Sequence, residues 1–416
     1  MTKQKEIKDF VCPFCSLHCD DIKVLSDGNH FKVNNKDLVC QKKIEKNNIK
    51  KTSLTLPMIK GKISSLSDAL ATAKKAISNH KETLLLNHGV ELSGLRSILN
   101  FASQNNCIID HVNSKALFQN LSLMQRGGYM ATSLTEIKNR ADTIIIFGNK
   151  IFQKSPRLLE KVLQAKNSLC TNVRKKEIIL IGNFDYKIVQ KIKKNSKVTN
   201  IKINLDSIPK LMKLLSDDQN VSELKGLSIK DLNKLKNLVL ASKYLVATWT
   251  NSDFFSAKNP EMIINSISKF IVSYNDNKRG ACAPIAGSLG DVTSSQALAW
   301  MTGFASRIKF IDNTFKHDRN LYDSNILMKN ENLDIVIHIS TLSTGKITLN
   351  KNFYNIVLGH PNSIFNNTPD IFIPVGIPGV DYDGIMFRTD NVVSVALKKI
   401  RNIKLPTTEN IISQLS

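Results

Sequence analysis

The sequence predicts an α/β protein with doubly wound, mostly parallel sheets and a small cysteine-rich subdomain at its N-terminus. From about residue 57 onward, short β-rich apolar runs alternate with stretches whose apolar residues recur at helical spacing. Strands and helices that alternate in this way form parallel sheets covered by helices on both faces. The first 56 residues lack this alternation and contain four of the seven cysteines, so they predict a separate small subdomain.

The alternation can be followed element by element along the chain. Strands are predicted at 83–87, 107–110, 143–147, 177–181, 197–203, 244–248, 334–339 and 355–358. Helices are predicted at 91–103, 114–126, 155–164, 231–241 and 261–270. Pro156 suits the first turn of the third of these helices. The polar stretch 217–230 is the best candidate for a loop or a joint between subdomains.

The N-terminal segment contains two strand-like runs, 21–25 and 29–33, with Asp27-Gly28 as the turn between them. A lysine-rich stretch follows at 42–51. We therefore predict three regions, described by their expected content: a cysteine-rich, iron–sulfur-type subdomain, Rossmann-like regions forming two interleaved domains, and a C-terminal α/β segment that completes the sheet. Their boundaries are 1–56, 57–330 and 331–416.

Composition excludes several classes of protein. The chain has 416 residues, 42% of them hydrophobic, and no apolar run near the ~18 residues that a membrane helix needs. The polar start MTKQKEIKDF has no signal sequence, which predicts a cytoplasmic protein. The net charge of +23 suggests acidic partners, but basic residues are spread along a chain rich in Lys, Asn and Ile. We predict neither nucleic acid nor a membrane as a partner.

Four cysteines form the most specific motif of the sequence. Cys12, Cys15 and Cys19 lie within one short stretch, and Cys40 follows from a later loop. Four thiolates at this spacing suit an Fe4S4 cluster, whose four iron atoms each take one soft anionic ligand. Four thiolates also satisfy a tetrahedral zinc site, and four unrelated buried thiols are a third interpretation. The iron–sulfur interpretation is preferred, and the other two stay open.

Several glycines follow strands or lie in loops where a backbone could approach phosphate groups. They lie in His88-Gly89, in Phe147-Gly148-Asn149, at Gly280 and in 287–290, and none completes a Walker or GxGxxG pattern. The histidines in the body of the chain show no ligand spacing, and each is predicted to be structural: His80, His88, His111, His317, His338 and His360.

Ordered motifs across the chain carry a family resemblance. They are 12–21 with Cys40, Ile109-Asp110 leading into Ser114, 133–142, 147–149 with 155–157, Arg279-Gly280, 300–303, 373–379 and 387–392. Together they resemble the B subunit of formylmethanofuran dehydrogenase, a member of the molybdopterin oxidoreductase superfamily. The resemblance implies a molybdopterin oxidoreductase-like fold with a pterin-domain-like C-terminal segment.

Departures from that family decide what the resemblance implies about activity. In the dehydrogenase, the loop after the second strand presents a cysteine that ligates tungsten or molybdenum, with a histidine beside it. Ala116 and Leu117 occupy these positions here, and they can neither ligate a metal nor relay a proton. Arg279 matches an arginine of the dehydrogenase site but is vestigial without the metal. The resemblance therefore implies no catalytic residue in this chain and no molybdopterin or tungstopterin.

The same substitution resembles the B subunit of the bacterial formyltransferase/hydrolase complex of methylotrophs. That resemblance implies an architectural subunit in tetrahydromethanopterin-linked formaldehyde oxidation to formate. Its partners would be the A, C and D subunits, with a glutamylated methanofuran-type carrier nearby. Two alternatives stay open: a redox-active molybdenum or tungsten formylmethanofuran dehydrogenase subunit, and an iron–sulfur subunit that transfers electrons or binds a partner.

Overall fold

The structure is a computed structural model that describes residues 5–34, 37–80, 82–216, 224–287 and 289–416. The chain divides into two compact units. Unit 1 comprises Met1–Ser114 and Ser288–Ser416, and unit 2 comprises Lys115–Gly287. The boundaries predicted from the sequence, at 56/57 and 330/331, stay a prediction.

Strands, numbered in chain order, belong to both units. They are β1 Lys5–Phe10, β2 Ile22–Ser26, β3 Phe31–Asn34, β4 Met58–Ile59, β5 Lys62–Ile63, β6 Thr83–Asn87, β7 Ile108–His111, β8 Thr143–Phe147, β9 Glu177–Ile181, β10 Lys197–Ile201, β11 Tyr244–Trp249, β12 Arg279–Pro284, β13 Ile308–Ile311, β14 Thr314–His317, β15 Ile335–Ser340, β16 Lys346–Ile347, β17 Tyr354–Gly359, β18 Ile364–Phe365, β19 Ile371–Pro374, β20 Gly384–Phe387 and β21 Ser394–Leu397.

The α-helices are numbered in the same way. They are α1 Leu38–Glu45, α2 Leu66–Ser78, α3 Leu92–Asn105, α4 Ser114–Gly127, α5 Leu134–Arg140, α6 Lys150–Lys154, α7 Tyr186–Lys193, α8 Ile208–Ser216, α9 Ile229–Ala241, α10 Pro260–Tyr274, α11 Asp291–Thr302, α12 Ser324–Lys329 and α13 Thr408–Leu415. No helix in the described ranges is long and apolar enough to cross a membrane.

The large sheet of unit 1 has a parallel centre and antiparallel edges. Its described strands run in the order β14-β13-β7-β6-β15-β17-β19-β4-β5, and the five from β7 to β19 are parallel. Side chains of β15 alternate between the faces, with Ile335 and Ile337 packed against α2, α3 and α13 and Val336 packed on the opposite face. The expected α/β architecture with parallel sheets is confirmed.

Unit 2 is built around a second, fully parallel sheet. Its strands are ordered β10-β9-β8-β11-β12 within the described residues. Every residue of β8 is buried, because Ile144, Ile145 and Ile146 combine a high preference for strands with apolar surface on both faces. Helices α8, α9 and α10 contribute to the same core.

One predicted helix, 155–164, is wrong in its form. Helix α6 ends at Lys154, and Ser155 has φ −128° and ψ 73°, outside the helical region. Pro156 explains this break, because the residue before a proline is disfavoured in the α conformation. The chain then forms a short π-helical turn at Leu159–Leu163. The predicted joint at 217–230 lies partly outside the described residues, and α9 begins at Ile229.

A three-stranded antiparallel sheet, β1-β2-β3, precedes the large sheet in unit 1. Arg401 connects this N-terminal segment to the C-terminal part of the unit. Its guanidinium donates to both carboxylate oxygens of Asp381 at 2.7 and 2.8 Å and to the carbonyl of Asn47 at 3.1 Å, and it lies 5.7 Å from the centre of the Phe31 ring. Both charged side chains are fully buried, so the ion pair between them compensates for the hydration that each side chain loses on folding.

Candidate functional site

The cysteine loop between β1 and β2 folds back on itself. The backbone N–H of Cys12 donates to the carbonyl of Cys19 at 2.9 Å, and that of His18 donates to the carbonyl of Cys15 at 3.1 Å. His18 adopts φ +44°, which lets the chain reverse direction, and its ring nitrogen Nδ1 bonds the carbonyl of Cys12 at 3.1 Å. The N–H of Thr389 donates to the carbonyl of Ser16, which attaches the loop to the C-terminal part of unit 1.

The four predicted ligands are all buried and none forms a disulfide. Burial raises the pKa of Cys12 well above its ordinary value, and the neighbouring charges of Cys15 and Cys19 raise it further. The charge of Lys43 on α1 acts in the other direction, and Cys40 lies on the same helix. Cys12, Cys15 and Cys19 are therefore electrostatic neighbours, and α1 lies beside their loop.

These cysteines fit an iron–sulfur cluster or zinc in the chemistry of their donor set, since four buried thiols can become thiolates when a cation replaces the lost solvation. Among the described residues, however, no three or more His, Cys, Asp or Glu side chains are arranged to hold a metal ion. The metal site stays a prediction.

The positions that lack the expected metal ligand lie in the first turn of α4. Ala116 is buried and its carbonyl accepts a hydrogen bond from Nδ2 of Asn251 at 2.6 Å. Asn251 Oδ1 in turn accepts from the indole nitrogen of Trp249 at 2.9 Å. Leu117 is half-buried. An alanine methyl and a leucine side chain offer no donor to a metal here.

Arg279 lies at the opposite end of the unit 2 sheet from Ala116. It is the first residue of β12 and pairs with Tyr244, the first residue of the parallel neighbour β11. Asn251, which contacts Ala116, follows the last residue of β11, roughly 17 Å away at 3.3 Å per residue. The guanidinium instead forms an ion pair with Glu136 and lies 4.7 Å from the centre of the Tyr244 ring. The structure does not bring Arg279 and Ala116 together.

Two of the glycine loops lie at the carboxyl ends of parallel strands. In unit 2, Phe147-Gly148-Asn149 follows β8, and Asp253 follows the neighbouring strand β11. The Asp253 carboxylate accepts hydrogen bonds from the backbone N–H groups of Asn149 at 3.2 Å and Lys150 at 3.1 Å. Burial raises the pKa of Asp253 to about 6, although these two bonds and the Lys150 charge lower it.

In unit 1, His88-Gly89 follows β6, and His338 lies on the adjacent strand β15. The two rings are hydrogen-bonded, with His88 Nε2 3.1 Å from His338 Nδ1. Burial lowers the pKa of His338 to about 4, and burial with the charges of His338 and His111 lowers that of His88 well below its ordinary value. Both rings are therefore neutral at neutral pH.

Sequence reasoning missed both of these arrangements. His88 and His338 are 250 residues apart, and Lys150 and Asp253 are 103 residues apart, so no spacing rule reports them. The available signal was positional, because His88, Lys150 and Asp253 follow predicted strands of a parallel sheet and His338 is the second-last residue of one. Gly280 has no phosphate-facing role, since its N–H and carbonyl are bonded to the side chain of Asn275 at 3.0 and 2.8 Å.

Comparisons with known proteins confirm the resemblance inferred from the motifs. The chain is 21% identical to the B subunit of the tungsten-containing formylmethanofuran dehydrogenase 2 of Methanococcus maripaludis, over 96% of this chain and 94% of that protein. It is 22% identical to the protein of the same name from Methanocaldococcus jannaschii, over 95% and 94%. It is 21% identical to the B subunit of the formyltransferase/hydrolase complex Fhc of Methylorubrum extorquens, over 79% and 87%.

A solved structure has the same fold. It is a chain of the formyltransferase/hydrolase complex FhcABCD from Methylorubrum extorquens, determined in complex with methylofuran. The superposition gives a TM-score of 0.72 at 18% identity and covers 86% of this chain and 97% of the other. No family model matches the sequence.

Proposed function

We propose, on the premise of this similarity to B subunits, that the chain is the B subunit of a formyltransferase/hydrolase complex. It would assemble with A, C and D subunits, close to a methanofuran-type carrier, in tetrahydromethanopterin-linked oxidation of formaldehyde to formate. The observation that carries the proposal is Ala116, in a chain similar to both kinds of B subunit along most of its length.

We propose further that this subunit is architectural and has no redox centre of its own. Ala116 and Leu117 offer neither a metal ligand nor a proton relay at the position where the dehydrogenase requires both. Arg279 is already committed to Glu136 and Tyr244. Molybdopterin or tungstopterin is absent in this proposal, and the molybdopterin oxidoreductase-like class describes ancestry of the fold only.

Purification of the chain from its native host, with subunits and metals determined together, tests the proposal. We expect co-purification with A, C and D subunits, no molybdenum or tungsten, and no reduction of viologen dyes with formate or a formylated carrier. Ala116→Cys alone is expected to restore none of this activity, because Leu117 is unchanged. Stoichiometric tungsten would reject the architectural role and favour the dehydrogenase alternative, which the two tungsten-enzyme relatives support.

The cysteine set is the basis of a second proposal. We propose that Cys12, Cys15, Cys19 and Cys40 hold an Fe4S4 cluster, supported by their burial and by the electrostatic effect of Cys15 and Cys19 on Cys12. When bound, such a cluster supplies a structural cross-link for the small N-terminal sheet, or electron transfer in the alternative of an iron–sulfur redox subunit.

Anaerobic purification followed by iron analysis and absorbance at ~400 nm tests this assignment. Cys12→Ser is expected to remove the iron and the absorbance, whereas Cys107→Ser is the matched control because Cys107 is buried outside the set. Zinc in place of iron would assign the site as structural zinc. Wild-type protein without either metal would reject the site.

The positive charge gives a third element of the proposal. A subunit of net charge +23 next to the catalytic chains would raise the local concentration of a glutamylated, anionic carrier. Carrier retention by the complex is then expected to weaken as salt shortens the Debye length below ~8 Å. Retention that is equal at high salt would leave only the architectural role and a lysine-rich solvated surface.

A further inference from the structure

The topology of each of the two large sheets contains one position where an α/β protein ordinarily binds a ligand. In such sheets the crevice opens at the carboxyl ends of two adjacent strands whose connections run in opposite directions. In unit 2 the chain proceeds from β8 to β9 and β10 on one side, and β11 and β12 lie on the other. In unit 1 it proceeds from β6 to β7 on one side, and β15 and β17 lie on the other. The two crevices are therefore β8/β11 and β6/β15.

The β8/β11 crevice is closed by a carboxylate. Gly148 has φ +82°, and a Cβ atom built there would lie 2.3 Å from Cγ of Asp253. A backbone this close to a carboxylate leaves no room for another anion. The N–H groups of Asn149 and Lys150 are bonded to Asp253, and that of Gly148 is bonded to the carbonyl of Ile181. Asp253 is 7% exposed, so its charge lies inside the crevice.

The β6/β15 crevice is closed by a segment of backbone and by neutral side chains. A Cβ atom on Gly89 would lie 2.7 Å from the carbonyl oxygen of Leu289, and one on Gly290 would lie 2.9 Å from Cα of Gly89. The Gly89 N–H is bonded to Oδ1 of Asn87, and its carbonyl accepts from the hydroxyl of Thr341. The Gly89 N–H is therefore not available to donate a hydrogen bond to an anion.

From these contacts we infer that both crevices are occupied by the chain's own groups, with Asp253 as an internal anion in unit 2, so that neither unit binds a pterin dinucleotide. The residues present do not fit such a cofactor, because its phosphates would meet a carboxylate at β8/β11 and backbone at β6/β15. The inference rests on the proposed function, to which it adds a physical reason why the fold carries no dinucleotide.

Hydrogen exchange at the amides of Asn149 and Lys150 in the full chain tests the internal anion. Both amides are expected to be protected in the wild type and in Asp253→Asn, whose side-chain carbonyl still accepts. Asp253→Ala is expected to accelerate exchange about tenfold, as one lost hydrogen bond predicts. The matched control is Asp185→Ala, because exposed Asp185 accepts from the Lys187 N–H elsewhere in unit 2. Unprotected amides in the wild type would overturn the inference, even where Asp253→Ala fails to fold.

Ligand probes test the second half of the inference. Inorganic pyrophosphate and GDP are expected to leave the urea unfolding midpoint of the wild-type chain unchanged, since a ligand that binds the folded state raises it. The fluorescence of Trp249, at the end of β11, reports on the unit 2 crevice in a Trp300→Phe background. A saturable rise of the midpoint with either probe would overturn the inference without affecting co-purification of the subunits. Failure to co-purify would reject the proposed function and leave these results intact.

Discussion

The two units close the same topological position with different groups, and the titratable groups there respond to acid in opposite senses. Backbone closes the crevice of unit 1 beside a neutral pair of histidines, whereas a carboxylate held by two amides closes that of unit 2. All eight histidines of the sequence belong to unit 1, and unit 2 has none. The same sheet topology can thus be filled by chemically different groups. Because these groups titrate in opposite senses, the pH dependence of stability distinguishes the two crevices.

In unit 1, burial works against protonation of histidine. The pKa of His338 falls from 6.5 to about 4 in the folded state. Between these two pH values the unfolded chain binds more protons than the folded one. The stability that His338 contributes is therefore complete above pH 6.5 and is lost as the pH falls toward 4. Glu91 and Asp110 act in the opposite direction, because burial raises their pKa. A substitution at His338 therefore isolates one contribution from the sum.

In unit 2, burial works against ionisation of Asp253. Its pKa rises from 3.8 to about 6, so the folded state binds the proton more tightly than the unfolded chain. Stability contributed by this group is full below pH 3.8 and is lost as pH rises toward 6. At neutral pH, the hydrogen bonds from the N–H groups of Asn149 and Lys150 and the packing of the surrounding core offset the cost of the ionised carboxylate.

Gly148→Ala is expected to break the comparison most severely. The added Cβ would overlap Asp253, and φ of +82° strains any L-residue, so we expect a loss of roughly 4 kcal/mol in the free energy of unfolding. Urea denaturation at neutral pH measures the loss. Gly128→Ala is the control, because Gly128 has φ +70° with no atom within 4 Å of the added Cβ. Equal losses in the two variants would show that Asp253 does not fill the crevice.

His338→Leu is expected to remove the acid sensitivity that the His338 ring gives to unit 1. The shift in the pKa of His338 corresponds to about 3 kcal/mol of stability lost between pH 6.5 and 4. The variant should lose that much less than the wild type when urea denaturation is repeated across this range. His30→Asn is the control, since the His30 ring is exposed. An unchanged pH dependence in His338→Leu would contradict the burial argument.

Asp253→Asn is expected to act in the opposite sense. It removes the cost of an ionised buried carboxylate, so the variant should be more stable than the wild type by about 3 kcal/mol at pH 7.5, with no gain at pH 3.8. Trp249 fluorescence in a Trp300→Phe background follows unit 2 during urea denaturation. A variant that is less stable at pH 7.5 would mean that the carboxylate's bonds to Asn149 and Lys150 outweigh its desolvation.

Local sequence was sufficient for most of the parallel strands, whereas the role of the four cysteines stays a prediction. The predicted strands 83–87 and 143–147 coincide with β6 and β8, because a continuous apolar run bounded by polar residues suits a strand buried on both faces. The predicted helix 155–164 is wrong because the prediction considered only Pro156 itself, which suits the first turn of a helix. The proline also disfavours the helical conformation of the preceding residue, Ser155, and α6 therefore ends there.

The crevices could not be predicted from the same information. Which strands become neighbours is decided by the order of the sheet, and that order brings His88 to His338 and Gly148 to Asp253. Each of these residues has an ordinary local context, so the sequence favours a structural histidine and a phosphate-facing loop. Similarly, the sequence motif alone relates Arg279 to a redox site. Only the register of β12 with β11, which pairs Arg279 with Tyr244, shows that Arg279 lies at the amino end of its strand, away from Ala116.

The smallest expected effect concerns the amino edge of the unit 2 sheet and sharpens the contrast with its carboxyl edge. Arg279 is 54% exposed, so its ion pair with Glu136 is screened by water, and its contact with the Tyr244 ring adds little. Arg279→Gln should therefore cost about 0.5–1 kcal/mol in the free energy of unfolding. A double-mutant cycle with Glu136→Gln, measured by urea denaturation, should give a coupling of the same small size. If Arg279 is vestigial, Arg279→Gln should also leave co-purification of the complex unchanged. Absence of the A, C or D subunit from the purified variant would instead assign Arg279 a role in assembly.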